Sequence, residues 1–200
     1  MMTDRHILLI IHILEIGYTD SDGLDEVYIY TGDLLTQIDE YEDGDLEIET
    51  LLEYDSNDRL IKETYAYEDG SSQINEFVYN ADGTITENEG NANEYIYAFA
   101  NGNRITETDV DGNYDYEYTY DDKNNPFKNV HQRDVLDLIG EYASLNNVLT
   151  YMNTGGGPTD DDFTNTYVYN SDNFPISSTS TYFEFGSSNE IIETVQFIYE

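Results

Sequence analysis

The chain of 200 residues carries 43 acidic against 7 basic side chains, a formal charge of −36, and no cysteine. That balance repels a nucleic-acid backbone and an anionic membrane surface alike. The missing thiols exclude disulfides, thiolate zinc sites, thiol nucleophiles and a cysteine-linked lipid anchor on this chain.

No basic patch breaks the negative field. Arg5, Arg59, Lys62, Arg104, Lys123, Lys128 and Arg133 are scattered, no two closer than three positions. High charge with low hydropathy can mark a disordered chain. Twenty tyrosines and eight phenylalanines, recurring in a pattern, argue instead for a folded core inside a solvated acidic shell. The length suits one domain over 1–200, large enough to stand without bridges.

In chain order, Ile7 to Ile16 reads ILLIIHILEI. Ten residues are too few for a spanning helix, which needs about twenty. The leading MMTDRH and the lack of a small-residue cleavage site before Gly17 make a poor export signal. The short, Ile-rich run is expected to be a buried opening strand within residues 1–17, with a truncated helix as the alternative.

From Tyr30 onward a degenerate unit returns. Tyr54 opens YDSNDRLIKET, Tyr79 opens YNADGTITENE, Phe99 opens FANGNRITETD, Tyr120 opens YDDKNNPFKNV and Tyr169 opens YNSDNFPISST. Tyr30 opens YTGDLLTQIDE, one residue shorter in its turn. In the five full-length copies an apolar residue or proline stands six positions after the aromatic: Leu60, Ile85, Ile105, Pro126 and Pro175. Successive anchors from Tyr30 to Tyr120 lie 24, 25, 20 and 21 residues apart.

Asn, Asp and Gly tolerate positive φ and bond their own backbone, so each polar cluster reads as a turn. Before it runs an aromatic strand of period two, as in Tyr28 and Tyr30, Phe77 and Tyr79, Tyr95 and Tyr97, Tyr118 and Tyr120, Tyr167 and Tyr169. Residues two apart in a strand share a face. A short Ile/Thr/Leu strand follows, then a second turn, at Asp43-Gly44, Asp69-Gly70 and Asp111-Gly112. Each unit is thus two strands and two turns. The tyrosines form a ladder of cross-strand pairs, with hydroxyls expected wet at the rim.

The pattern breaks after Tyr120. Arg133 to Tyr142 reads RDVLDLIGEY, and the spacing predicts a short helix near 133–142, with Gly140 suited to its end. Residues 153–162, NTGGGPTDDD, read as an exposed, flexible loop. Two strands close the chain, centred on Ser180 to Phe185 and Ile191 to Tyr199.

Motifs of catalysis are absent: no nucleophile elbow, no zinc-protease helix, no phosphate loop. His6, His12 and His131 are too scattered for a triad or metal set. Among so many carboxylates, pairs at glycosidase spacing arise by chance. Calcium is the sharpest candidate ligand. Asp109, Asp111, Asn113 and Asp115 place oxygen atoms at alternate positions, echoing part of an EF-hand loop whose glycine comes too early. Asp20–Glu26 and Asp160–Asp162 are weaker candidates. Turn chemistry alone accounts for the same residues. No other cofactor is indicated.

The units YDSNDRLIKE, YTGDLLTQIDEY and YEYTYDDKNNPFKNV resemble the tyrosine–aspartate (YD) repeats of Rhs-type proteins. They are more similar to a group of uncharacterised secreted or lipid-anchored proteins of Bacteroidota, in which NNPFKNV, a helical insert and NNVL also follow one another. The resemblance covers about Tyr18 to Glu200. It implies an antiparallel sheet and a cell-envelope or extracellular site, and no activity. The chain shows neither an export signal nor the lipid-bearing cysteine.

The expected fold is therefore all-β, an antiparallel meander of repeated hairpins forming a large twisted, curled sheet or partial barrel, with a flat sandwich as the alternative. The expected role is a non-catalytic envelope module presenting a binding or assembly surface to a protein or glycan partner. A carbohydrate-binding or glycan-acting protein and a calcium-stabilised surface protein are the alternatives. Because most carboxylates lack a cationic partner, they repel one another, and salt shortens the reach of that repulsion. Melting temperature should rise between low and high ionic strength, and with divalent cations; a flat series would contradict the acidic-shell reading.

Overall fold

The computed structural model describes residues 8–11, 16–19, 24–90, 93–110, 112, 114–140, 143–156, 159, 162–183 and 189–199. Two short opening strands, β1 (Leu8–Ile11) and β2 (Ile16–Thr19), precede a long meander. The meander comprises β3 (Leu24–Thr31), β4 (Leu34–Glu42), β5 (Asp45–Tyr54), β6 (Leu60–Tyr67), β7 (Ser72–Tyr79), β8 (Ile85–Glu89), β9 (Asn93–Ala100), β10 (Asn103–Asp109), β11 (Asp115–Tyr120), β12 (Val148–Asn153), β13 (Phe163–Tyr169), β14 (Pro175–Phe183) and β15 (Glu190–Tyr199). Each of these strands pairs antiparallel with its neighbours in sequence.

The thirteen-strand meander β3–β15 does not close on itself, since β3 and β15 are not partners; β1 and β2 bridge its two ends, so the strand order runs round a closed barrel. β1 lies parallel to β15, with Leu8 opposite Gln196, and antiparallel to β2. β2 meets β3 through the pair Thr19 and Asp25. The opening run is thus two short strands rather than one strand ending at Ile16. Residues 12–15 lie outside the described residues.

The repeat explains the sheet. Each anchor aromatic faces the residue that restarts the next strand: Tyr54 pairs with Leu60, Tyr79 with Ile85 and Tyr169 with Pro175. The residue after the aromatic clasps the turn. Asp55 receives Asn57 N–H at 2.8 Å and Arg59 N–H at 3.1 Å on Oδ1, while its own N–H donates to the Arg59 carbonyl at 2.9 Å. Asn80 and Asn170 likewise donate N–H to the carbonyls of Thr84 and Phe174, both at 2.9 Å. A side-chain oxygen thus replaces the water that the turn amides would otherwise need.

Alternation then sends the aromatic rows inward. Tyr28, Phe77, Tyr97, Tyr116, Tyr118 and Tyr151 are buried, whereas Val27, Ile29, Val78 and Val168 on alternating positions are exposed. Tyr116 stacks on Tyr151 with centroids 4.2 Å apart. Three of the tyrosine hydroxyls are not left wet at a rim. Tyr54 donates to the Leu35 carbonyl at 2.6 Å, Tyr120 to that of Arg104 at 2.5 Å and Tyr199 to that of Pro175 at 2.7 Å. Each reaches the restart residue of the adjoining strand, so the ring packs and the hydroxyl locks neighbouring repeats together.

The departure after Tyr120 is a long insert in place of a turn. Asp121 N–H donates to the Asn147 carbonyl at 3.1 Å, and Asp121 Oδ1 accepts Lys123 N–H at 2.9 Å and Asn147 N–H at 3.2 Å. The same Asx clasp therefore closes a segment many times longer, and Tyr120 then pairs with Val148. Pro126 does not restart a strand. It opens a 3₁₀ turn, Pro126–Asn129, followed by helix α1 (Arg133–Leu138). The short helix expected near 133–142 is present, and it ends as the chain turns at Ile139 and Gly140 takes φ of 106°.

This insert fills the mouth of the curled sheet at the end where the tyrosine turns gather. Leu136, Leu138 and Ala143 join Tyr28, Leu35, Ile38, Leu52, Leu60 and Phe77 in one core. The plug is pegged around the mouth. Tyr30 hydroxyl donates to the His131 carbonyl at 3.1 Å, Gln132 Oε1 accepts Leu35 N–H, and Asn124 N–H donates to the Asn173 carbonyl at 3.0 Å. Of the 153–162 segment, Thr154, Gly155, Gly156 and Thr159 are exposed, while Asn153 still belongs to β12.

Leu60 is fully buried. Leu60→Ala should cost about 2–5 kcal/mol through lost packing and the void left behind. Tyr54→Phe should cost about 0.5–1.5 kcal/mol, the worth of one net hydrogen bond. Urea unfolding of both variants checks the order and the size.

Candidate functional site

Beneath the plug, the inner faces of β8 to β12 enclose a cavity of about 270 Å³ that is not sealed from solvent. Its walls carry Tyr97, Arg104, Tyr118 and Tyr151, and Asp137, Ile139 and Ser144 form the roof. Glu87, Glu89 and Glu107 complete the polar lining.

Arg104 reaches this place through a slip in the repeat. The sequence spacing assigned the restart position after Phe99 to Ile105. The turn between β9 and β10 is instead two residues, Asn101 and Gly102, with φ of 54° and 79°. Both values suit the tight hairpin turn that matches strand twist. Phe99 consequently pairs with Arg104, and Ile105 is bulged outward and exposed. A one-residue change of register moves a side chain to the other face. Gly102 also lets the plug approach, since a Cβ there would sit 3.3 Å from Leu145 Cβ.

The buried guanidinium ties several elements together. Arg104 Nη2 donates to the Asp137 carbonyl and, at 3.1 Å, to that of Leu138. Nη1 forms an ion pair with Glu107 Oε2 at 3.2 Å. The charge lies 4.5 Å from the centroid of the Tyr97 ring, within cation–π reach. Burial alone would lower the Arg104 pKa, but Tyr118, Asp137, Glu107 and Tyr97 together raise it, so the cation persists. One donor is left over: Nε is buried and has no partner. An unmade hydrogen bond of this kind costs about 1–3 kcal/mol.

The carboxylates are held as acceptors. Glu87 receives the Asn75 amide at 2.8 Å on Oε1 and the Tyr97 hydroxyl at 2.5 Å on Oε2. Tyr118 donates to Glu107 Oε2 at 2.8 Å. Ser144 hydroxyl lies 3.0 and 2.8 Å from the two oxygens of Asp137. Desolvation raises the pKa of both Glu87 and Asp137, more than the hydroxyls and Arg104 lower it. Deeper in the inner face, burial pushes Glu63 up to about 7, with Tyr65 and Asn75 donating to it and Glu87 adding repulsion. Sequence reading missed these groups, because nothing but register distinguishes them from the acidic shell.

Of the four calcium candidates, Asp109 and Asp115 belong to the described residues. Asp115 pairs with Thr108, the neighbour of Asp109, while Asp109 pairs with Tyr95. Asp109 and Asp115 therefore belong to opposite faces of the sheet. Asp109 Oδ1 instead accepts Gly112 N–H at 3.0 Å, which is turn chemistry. Asp111 and Asn113 lie outside the described residues, as do Asp20, Asp22, Asp160 and Asp161. Among the described residues, no three acidic or imidazole groups converge as a metal set. His131 is exposed, its Nε2 2.7 Å from the Asp33 carbonyl; His6 and His12 lie outside the described residues.

No protein-family model matches the chain, and no curated protein is similar to it. Among solved structures, the chain is similar to a porin-like protein from Bacteroides uniformis, with 12% identity, a TM-score of 0.39, and coverage of 90% of this chain and 72% of the other. Among the described residues no helix is long and apolar enough to cross a membrane.

A carboxyl with a raised folded pKa binds more protons in the folded than in the unfolded chain between the two values. Stability from Glu63 is then greatest below its ordinary value near 4.5 and declines as pH rises to about 7. Glu63→Gln should remove this loss. Its stability relative to the parent should grow from pH 5 to pH 8, by on the order of 3 kcal/mol at one pKa unit per 1.4 kcal/mol. Denaturant titrations at the two pH values check the sign.

Proposed function

We propose that the chain is a non-catalytic β module of the cell envelope or extracellular space that binds a small ligand in the cavity beneath the plug. The observation that carries this reading is the preformed, partly open cavity of about 270 Å³ beneath the plug, lined by Arg104 and by carboxylates and tyrosines of the inner face. A concave site with a few convergent polar groups among packed rings is where small ligands bind. The carboxylates around it support binding over turnover, since Glu87, Glu107 and Asp137 already accept from Asn75, Tyr97, Tyr118 and Ser144. The envelope site follows from the resemblance of the tyrosine–aspartate units. The charge of −36 sets nucleic acid aside as a partner.

A second reading, action on glycans, draws on Glu87 and Asp137, two carboxyls with raised pKa lining one cavity. Turnover of aryl glycosides between pH 4 and 8 that is lost in Glu87→Gln would favour it.

The binding reading is tested by thermal shift against a library of small neutral, anionic and cationic metabolites. A ligand at a hundredfold excess over Kd adds about 2.7 kcal/mol, or several degrees of melting temperature. At least one compound should stabilise the parent and not Ile139→Trp, whose larger ring fills the cavity from the roof. No stabilisation by any class would overturn the proposal.

A further inference from the structure

We infer that the ligand of this cavity is a small organic ammonium, an amine carrying its positive charge on a short carbon skeleton. The inference rests on the binding reading above and adds the chemical class. Its ground is an imbalance of charge on the lining. Glu87, Glu89, Glu107 and Asp137 stand there against one guanidinium, that of Arg104. That guanidinium is already engaged. Nη1 pairs with Glu107 Oε2 at 3.2 Å, Nη2 donates to the carbonyls of Asp137 and Leu138, and the charge lies over the Tyr97 ring. Glu87, Glu89 and Asp137 have no ion pair among the described residues. They accept from neutral groups: Glu87 from Asn75 and Tyr97, Glu89 from the Asn93 amide at 3.0 Å, and Asp137 from Ser144. Neutral donors satisfy the oxygens but leave the charge unbalanced. Burial accordingly raises the pKa of Glu87 and Asp137, as it does for a carboxylate short of positive charge.

Other classes of ligand fit this lining less well. An anion would bring its charge among four carboxyl groups, and like charges in a desolvated site repel strongly. A neutral molecule would leave the imbalance as it stands. A bare metal ion needs several oxygen atoms converging at about 2.0–2.6 Å. Among the described residues no three acidic or imidazole groups gather in that way. An ammonium needs no such convergence, because its charge is spread and its N–H groups bond to acceptors one at a time. Glu87 and Glu89 belong to β8 and Asp137 to α1, so the carboxyl groups lie on wall and roof alike. Tyr118 and Tyr151, with centroids 4.9 Å apart, add aromatic surface on the same wall. Such rings attract a cation and cover its carbon skeleton. Arg104 shows the fit, lying 4.5 Å from the centroid of Tyr97. The volume of about 270 Å³ falls just below the roughly 300–1,000 Å³ of sites for drug-sized ligands, so the skeleton is short.

The test is calorimetric titration of the full chain in about 0.15 M salt, which shortens the reach of the acidic shell to about 8 Å. Three four-carbon chains separate the charge classes: putrescine is a dication, 1,4-butanediol is neutral and succinate is a dianion. Choline with 3,3-dimethylbutanol, and phenethylamine with 2-phenylethanol, extend the comparison to quaternary and aromatic amines. At least one ammonium should bind, its neutral counterpart at least tenfold more weakly, and succinate should give no heat. Glu89→Lys on the lining should weaken that ammonium at least tenfold, and Ile139→Trp should abolish its heat. Glu117→Lys on the outer face makes the same change in net charge and should leave the affinity within twofold. Unaltered near-ultraviolet circular dichroism certifies each fold. If Ile139→Trp does not fold, the two lysine variants decide.

A neutral compound or succinate that binds as tightly as its ammonium counterpart would overturn the ammonium assignment and leave the binding reading standing. Equal losses of affinity in Glu89→Lys and Glu117→Lys, or a loss in neither, would put the amines on the outer shell and overturn the assignment as well. No heat with any amine, while another compound of the library stabilises the parent, would end the assignment alone. No response to any class would end both.

Discussion

A cation inside a curled sheet persists only if most of what surrounds it replaces water. Arg104 meets carbonyls of the plug on one nitrogen, a carboxylate on another and an aromatic face below. Removing one partner from a buried charge is far more damaging than never having buried it. The plug, the β9–β10 turn and the inner aromatic row are therefore interdependent. Arg133 extends the same logic outward, donating to the carbonyls of Gly102 at 3.1 Å and Ala143 at 2.8 Å. Two guanidiniums thus hold the end of the insert against one hairpin, and the cavity exists because they hold it there.

The outer surface obeys different rules. Positions alternating with the inner aromatics carry Glu53, Glu76, Asp115 and Glu117, all exposed, among threonines and branched aliphatics. Thr150 pairs with Thr164 and Thr166 with Thr179, cross-strand contacts that suit a solvated β face. A lipid-facing band would have to bury those carboxylates, and charges on that face of a membrane barrel are destabilising. The inner face gathers rings and a few paired charges, whereas the outer face disperses charge into water.

Much of the sheet was legible in the residues, and the reason is local. An aromatic, an Asx, two or three turn residues and an apolar restart specify one hairpin end without reference to anything distant. Asp55, Asn80 and Asn170 act as their positions suggest. What escaped was whatever depended on a count of one. Phe99 is followed by a turn one residue tighter than those after Tyr54, Tyr79 and Tyr169, so Arg104 and not Ile105 lies inward. Pro126 occupies the restart position by spacing and yet begins a 3₁₀ turn, because the clasp of Asp121 waits for Asn147. The cavity itself was illegible, being the product of long-range contact between insert and sheet.

The meander has a bearing on how the molecule comes into being. Each strand from β4 to β14 finds its partners immediately before and after it in sequence, so loop closure at each step is brief and inexpensive in entropy. Hairpins can be laid down one after another while the chain is still leaving the ribosome. Two events break this order. The insert must wait for turns on both sides of it, from Gly102 to Asn173, and β15 must be finished before β1 can lie against it. The protein thus assembles its wall progressively from one end and sets its stopper and its seam late, when the last residues are already in place.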